Sequence, residues 1–430
     1  MEKMLTNNSF FLWLRQSFKL SLLSFHSSLY FLLGIGVFVQ LSGLVFNNDN
    51  SRYATQLNLL LFLPSLLVLF VSVLSKVFWL QRSMLLISAL FGWVLVYSLV
   101  NNAAGDNFLH WFKNVFYILL YLSVIGFLVF DERRFCCVLA SSSLVVAVAA
   151  ILTLYYQFLV LNHPLDYESA RWHRLFQLGW RGFADLDHPI YAGLYYGVFS
   201  IVLTWFYLNF KLKHWQCVFL FVGLFSLLFY VLYTFSRGAW FATAFSGFML
   251  LIFSWNKKSK ILMTFGCLVI ALSLFVFWSE IYNEQKIGVN GRQLIWGAWL
   301  DQLPTFWMWG NGAGSIFSFT FPGGMGKIPA GFTVNQAHSL YLQLWYEYGV
   351  VGLILFLSLL VSLFRKAWAC REQPLAKLGA ALLIFCMVAM VSEVHSIIMR
   401  PNPYWVVVWF PIAILLGIKK SDAKQVNHVE

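Results

Sequence analysis

Charge is scarce in this chain. Only 11% of its 430 residues are charged, and the 17 acidic residues are outnumbered by 29 basic ones. A soluble domain carries about 25% charge, so these few cannot cover a water-facing surface of this size. Cysteine is sparse as well: Cys136, Cys137, Cys217, Cys267, Cys370 and Cys386 form no CxxC, and none falls in a loop assigned below to the outer side. Neither a structural disulfide nor a zinc site is implied. No internal repeat is detectable, which removes the plainest sign of an inverted-repeat transporter. Neither end carries a separate soluble domain, and no small-residue cleavage site follows the first long apolar run.

What fills the chain is apolar: 60% hydrophobic, 19% aromatic, with a mean hydropathy of +0.74. Stretches long enough to span a bilayer predict twelve transmembrane helices, at 27-46, 57-75, 83-100, 107-130, 135-161, 189-210, 215-233, 238-255, 261-279, 338-364, 376-395 and 403-418. The expected fold is therefore all-α, a polytopic membrane bundle with a large outer loop containing short helices. Residues 1-279 hold nine helices and a loop near 162-188. Residues 280-337 form the large loop, 338-418 the last three helices, and 419-430 a tail. Segment 9-24, with Phe10, Phe11, Trp13 and Leu14 beside Arg15 and Lys19, suits an interfacial helix.

Basic residues orient this bundle. Nineteen Lys and Arg fall in the connections assigned inside, nine outside, and Lys113 within a span. The positive-inside rule then puts both termini in the cytoplasm. The net charge of +12 is mostly this bias, and no nucleic-acid partner is needed. The outside set is seven Arg (Arg52, Arg171, Arg174, Arg181, Arg237, Arg292, Arg400) against Lys286 and Lys327, whereas lysine dominates inside. Guanidinium groups recognise phosphate and carboxylate bidentately, so the asymmetry favours an anion site on the outer face.

The large loop opens with a helix signal. Asn290 as cap and Gln293 as its capping-box partner precede Ile295, Trp296, Trp299, Leu300 and Leu303 at helical spacing, and Pro304 ends the run. Arg292 shares that apolar face and is expected to point toward the bundle. Gly310, Gly312 and Gly314 follow no strand and read as turns. Asn335 as the next cap would place His338 in the first turn of a helix, where the dipole disfavours imidazolium; a neutral imidazole can act as a general base. Arg237 sits against apolar sequence between two spans, where a cation needs a partner. Glu393 and His395 mark the outer end of the eleventh span, and Glu347 is expected to pack with Gln343. Asp185, Asp187 and His188 form a short DxDH. Its carboxylates read as partners of Arg181 or Arg174, or as caps of the next helix, more readily than as metal ligands.

The order Ser236-Arg237-Gly238, Gly291-Arg292, Trp296, Pro304, Gly310-Asn311-Gly312-Ala313-Gly314, His338-Ser339-Leu340-Tyr341-Leu342-Gln343 and Glu347-Tyr348-Gly349-Val350-Val351-Gly352 resembles the O-antigen ligase and polymerase superfamily, over about Thr234 to Phe364. The resemblance implies an inner-membrane glycosyltransferase with a periplasmic active site and no cofactor or metal. Its donor would be an undecaprenyl-diphosphate-linked glycan and its acceptor the lipid A-core. His338 matches the family's essential histidine, Arg237 and Arg292 its diphosphate arginines, and Arg181 aligns more loosely; Glu393 and Tyr341 are possible supports. The short segment after the last span favours a ligase over an O-linked oligosaccharyltransferase. O-antigen polymerase, and from another class a lipid-linked sugar transporter, stand as the alternatives.

Overall fold

A computed structural model describes residues 27–68, 76–101, 103, 105–276, 278–323 and 329–419. The expected interfacial helix at 9-24 and the tail beyond residue 419 lie outside them. Lipid offers no hydrogen-bond partner to a bare backbone, so an apolar chain must satisfy its amides within helices. In chain order these are α1 (Ser27–Phe46), α2 (Asn50–Leu57), α3 (Leu63–Val68), α4 (Lys76–Leu80), α5 (Arg82–Val100), α6 (Phe108–Leu128), α7 (Glu132–Tyr155) and α8 (Tyr167–Trp172). The second half holds α9 (Pro189–Asn209), α10 (His214–Tyr233), α11 (Arg237–Phe253), α12 (Lys257–Val276), α13 (Trp278–Phe306), α14 (Leu340–Ala369), α15 (Pro374–Ser392) and α16 (Phe410–Gly417).

Among the described residues, eight helices are long and apolar enough to cross a membrane: α1, α5, α6, α7 with its π-helical end, α9, α10, α14 and α15. α11 and the stretch Trp405–Gly417 are shorter apolar helices. The expected count of twelve is not established by the described residues. The predicted span at 57-75 is not one continuous α-helix in its described part, because a π-helical segment, Asn58–Phe62, separates α2 from α3.

Local sequence fixes several helix starts at the end of the bundle that carries His338. Asn107 Oδ1 accepts from the His110 amide at 3.0 Å. His188 Nδ1 accepts from the Ile190 amide at 3.2 Å, with Pro189 in the first turn of α9. Ser236 Oγ accepts from the Ala239 amide at 3.4 Å and opens α11. Each satisfies an amide the helix itself leaves unpaired. α15 lies at the centre, packed against α9, α11, α14 and α16, while α14 also packs on α5 and α16 on α6. Trp205, Trp405 and Trp409 are fully buried in this core, and their indole N–H groups donate to the carbonyls of Pro374, Met399 and Ile397.

The segment after α12 departs from expectation. α13 begins at Trp278, so Asn290 is interior to a helix rather than its cap, and the helix passes Pro304 to end at Phe306. Proline removes the bond to the carbonyl four residues back. That residue, Leu300, is exposed, so the freed carbonyl lies on an open face; the same exposure takes Leu300 out of the expected stripe. Ile295 and Trp299 are buried and join Phe306, Phe317, Phe321 and Ala337 in a small second core. A two-residue hairpin, β1 (Phe319–Thr320) with β2 (Thr333–Val334), covers it; the sequence had given no sign of those strands.

Gly310, Gly312 and Gly314 all have positive φ, as turn glycines do. The turn sits on a break in α14 at Gly349, which has φ 64° and ψ −172°. A Cβ on Gly349 would collide with the Met308 carbonyl, and one on Gly310 with the Glu347 carbonyl. Glycine is required on both sides of this junction. Glu347 pins it further: its carboxylate accepts from Gln343 Nε2 at 2.8 Å, as expected, and from the Gly314 amide at 3.1 Å.

Candidate active site

His338 does not lie in the first turn of a helix. α14 starts at Leu340 with Ser339 in the cap position, and His338 precedes it in the left-handed region at φ 51°. Tertiary contacts overrule the Asn335 cap: Ala337 and Ser339, on either side, are buried. Trp296 Nε1 donates to the Ala337 carbonyl at 2.9 Å, and Ser339 Oγ donates to the Met390 carbonyl at 3.4 Å. A left-handed non-glycine residue costs about 1–2 kcal/mol, and these flanking bonds hold it there.

The imidazole is neutral at pH 7, though not for the expected reason. Burial first, then the charges of Arg292, His395 and His188, push its pKa from 6.5 to about 4. Gln336 is its hydrogen-bond neighbour, 3.4 Å from Nδ1.

Arg292 points toward the bundle, as its place in the stripe predicted. Its Nη2 donates to Glu393 Oε1 at 2.9 Å, and the Glu393 side chain is only 2% exposed. The other oxygen, Oε2, is buried with no hydrogen-bond partner. Glu393 lies directly against Gly238, where any Cβ would collide with the carboxylate. Arg237 stands one residue earlier, in the first turn of α11. The structure thus gathers Arg237, Arg292, His338 and Glu393 at one end of the bundle from four separate segments.

Arg237 and Arg292 stand at the mouth of a groove of about 1180 Å³ between α11, α14 and α15. Its walls are apolar, among them Phe241, Phe245, Val361, Met387 and Val388, and Arg365 lies at its far end. Tyr341 also lines it, with its hydroxyl donating to the Met387 carbonyl at 3.1 Å. Such a shape suits a long hydrocarbon with an anionic head.

Arg181 stands apart. It has φ 49° and lies over the Trp180 ring at 5.0 Å, with no hydrogen bond or ion pair to the four gathered residues. Arg174 is half-buried and donates from Nε to the Thr234 carbonyl at 2.7 Å. Asp185 and Asp187 form no ion pair with Arg181 or Arg174, and neither caps α9; His188 does that. Among the described residues no group of three or more His, Cys, Asp or Glu could hold a metal.

Sequence reasoning missed one relationship. His188, His338 and His395 come from loops far apart in the chain yet act on one another electrostatically. Tyr404 links them to the arginine pair: its hydroxyl donates to the Glu393 carbonyl at 2.8 Å and lies 3.3 Å from His395 Nδ1. Placing each histidine beside a span boundary was the only available signal.

Residues 221–357 match the family model described as O-antigen ligase. An O-antigen ligase of Pseudomonas aeruginosa is 23% identical over 170 residues, a match covering 40% of this chain and 40% of that protein's length. The matched family segment contains Arg237, Arg292 and His338. Over that segment the chain is similar to the O-antigen ligase family.

Proposed function

We propose that the chain is an O-antigen ligase of the bacterial inner membrane, with both termini in the cytoplasm and the His338 end facing the periplasm. The donor is a glycan on undecaprenyl diphosphate, and the acceptor is a sugar hydroxyl of lipid A-core. One observation carries this reading: an apolar groove whose mouth holds two arginines within the same cluster as a half-buried neutral histidine. The groove takes the polyprenyl chain, and Arg237 and Arg292 take the diphosphate. A helix start adds to their pull on an anion.

The chemistry follows from that placement. His338 accepts the proton of the attacking hydroxyl. In the neutral imidazole the ring nitrogen that carries no proton is the base. The hydroxyl oxygen bonds to the anomeric carbon as the bond from that carbon to the phosphate oxygen breaks, with inversion. The electron pair leaves on undecaprenyl diphosphate, whose charge the two guanidinium groups offset. A diphosphate is already a good leaving group, so positioning and charge neutralisation supply much of the rate. Glu393 holds Arg292 in its working orientation. Arg181, on the same face, has a role only in first capture of the donor.

The test is reconstitution with undecaprenyl-diphosphate glycan and lipid A-core, with and without chelator. Transfer to the core in both conditions is expected. No transfer by the wild-type protein would sink the ligase reading, and loss with chelator would revive a metal. Chain extension of the donor glycan itself would favour a polymerase instead.

A further inference from the structure

A second cavity, of about 540 Å³, opens at the same end of the bundle, within the usual 300–1,000 Å³ range of ligand sites. Lys113 reaches it from α6, Asp185 and Asp187 from the loop before α9, and Arg400 and Asn402 from the loop before the last helix. We propose that this cleft is the acceptor subsite, and that it takes an oligosaccharide carrying discrete anionic groups. The proposal rests on the ligase reading for what happens to the bound sugar, though not for the binding.

The lining selects the ligand. Both signs of charge face one cavity, yet among the described residues Lys113, Asp185, Asp187 and Arg400 enter no ion pair. Lys113 lies instead over the Tyr117 ring at 5.7 Å, and Asp185 Oδ1 accepts only from the Asp187 amide at 2.9 Å. Cations left unneutralised by their neighbours are available to phosphate or carboxylate. The carboxylates can accept from sugar hydroxyls and would repel a uniformly anionic ligand. A neutral glycan would leave Lys113 and Arg400 unused. A hydroxyl-rich chain with separated anionic substituents satisfies all of them.

The cleft is joined to the other site by a wall of side chains. Asp187 precedes His188, whose ring lies 6.0 Å from that of Tyr191. Tyr191 packs edge-on against Tyr404 at 4.8 Å, and Tyr404 donates to the Glu393 carbonyl. Glu393 in turn holds Arg292. These contacts place the cleft beside the cluster that holds Arg292 and Glu393.

The experiment is calorimetric titration of the full-length protein in nanodiscs with phosphorylated core oligosaccharide freed of its lipid. Saturable binding is expected, weakened about tenfold by removing the phosphates and by Lys113→Ala or Arg400→Ala, and retained by Lys113→Arg. Equal binding of both oligosaccharides, no binding, or wild-type affinity in both alanine variants would overturn the proposal. Tight binding without any transfer upholds the cleft while removing the ligase reading. Transfer with an unchanged acceptor KM in both alanine variants does the reverse.

Discussion

Arg292 and Glu393, 101 residues apart, meet at 2.9 Å with the carboxylate almost wholly buried. A charge-assisted hydrogen bond of this kind contributes about 1.5–3 kcal/mol, and here it fixes where a guanidinium group points. Replacing Glu393 with Gln keeps the shape and removes the charge. The expected outcome is a fall in kcat/KM for the donor of roughly tenfold, with Arg292→Ala costing more because it removes the guanidinium itself. Steady-state kinetics on the reconstituted protein would check both.

His338 gives a pH prediction whose sign follows from its depressed pKa. With His338 in the proposed general-base role, the neutral imidazole would be the active form, so kcat/KM should be level from neutrality downward and fall as pH approaches about 4. The unfolded chain would bind this proton near pH 6.5. The histidine's stability term is therefore fully present above that value and is lost as pH falls toward about 4. His338→Ala should cost about 10²–10⁴ in rate. A pH–rate profile of the wild type and the variant reads both effects.

Bound diphosphate should raise the same pKa. The Arg292 charge is one of the causes holding it down, and an anion on that arginine would offset it. Histidine titration by NMR, with and without undecaprenyl diphosphate, should show the His338 pKa moving up from about 4 on binding. An unchanged value would separate the diphosphate from Arg292.

Glycine substitutions distinguish architecture from chemistry. Gly349→Ala forces a Cβ into the Met308 carbonyl at φ 64°, and should lower thermal stability by about 1–3 kcal/mol. Gly238→Ala meets the Glu393 side chain instead. Its damage should appear mainly in donor turnover. Melting curves and activity measured together would separate the two.

Trp296→Phe removes one hydrogen bond, to the Ala337 carbonyl, and little volume. About 1 kcal/mol of restraint on the His338 backbone is lost, so a severalfold drop in kcat with little change in melting temperature is expected. Wild-type kcat in this variant would show that the indole does not position the histidine.

Much of this site was legible before any coordinates. Arg237, Arg292 and His338 stood out because a polar side chain in so apolar a chain must have a destination, and the stripe of Ile295 and Trp299 correctly aimed Arg292 inward. Helix boundaries were not legible. Asn290 and Asn335 are good caps by residue type, but neighbouring contacts decided otherwise: helix already runs from Trp278, and the buried flanks of His338 hold it outside α14. The contacts of Arg174 and His395 were not legible, because their partners, Thr234 and Tyr404, come from packing that no spacing rule encodes.

The groove below Arg237 and Arg292 is walled partly by side chains that face outward, with Phe241, Phe245, Val361 and Val391 all exposed. Its side is open to the surroundings of the bundle, which for an apolar belt means lipid. A donor entering there is counted per unit of membrane area rather than per litre. Turnover should then follow the mole fraction of donor in the bilayer, and added carrier-free lipid should slow the reaction by dilution in two dimensions.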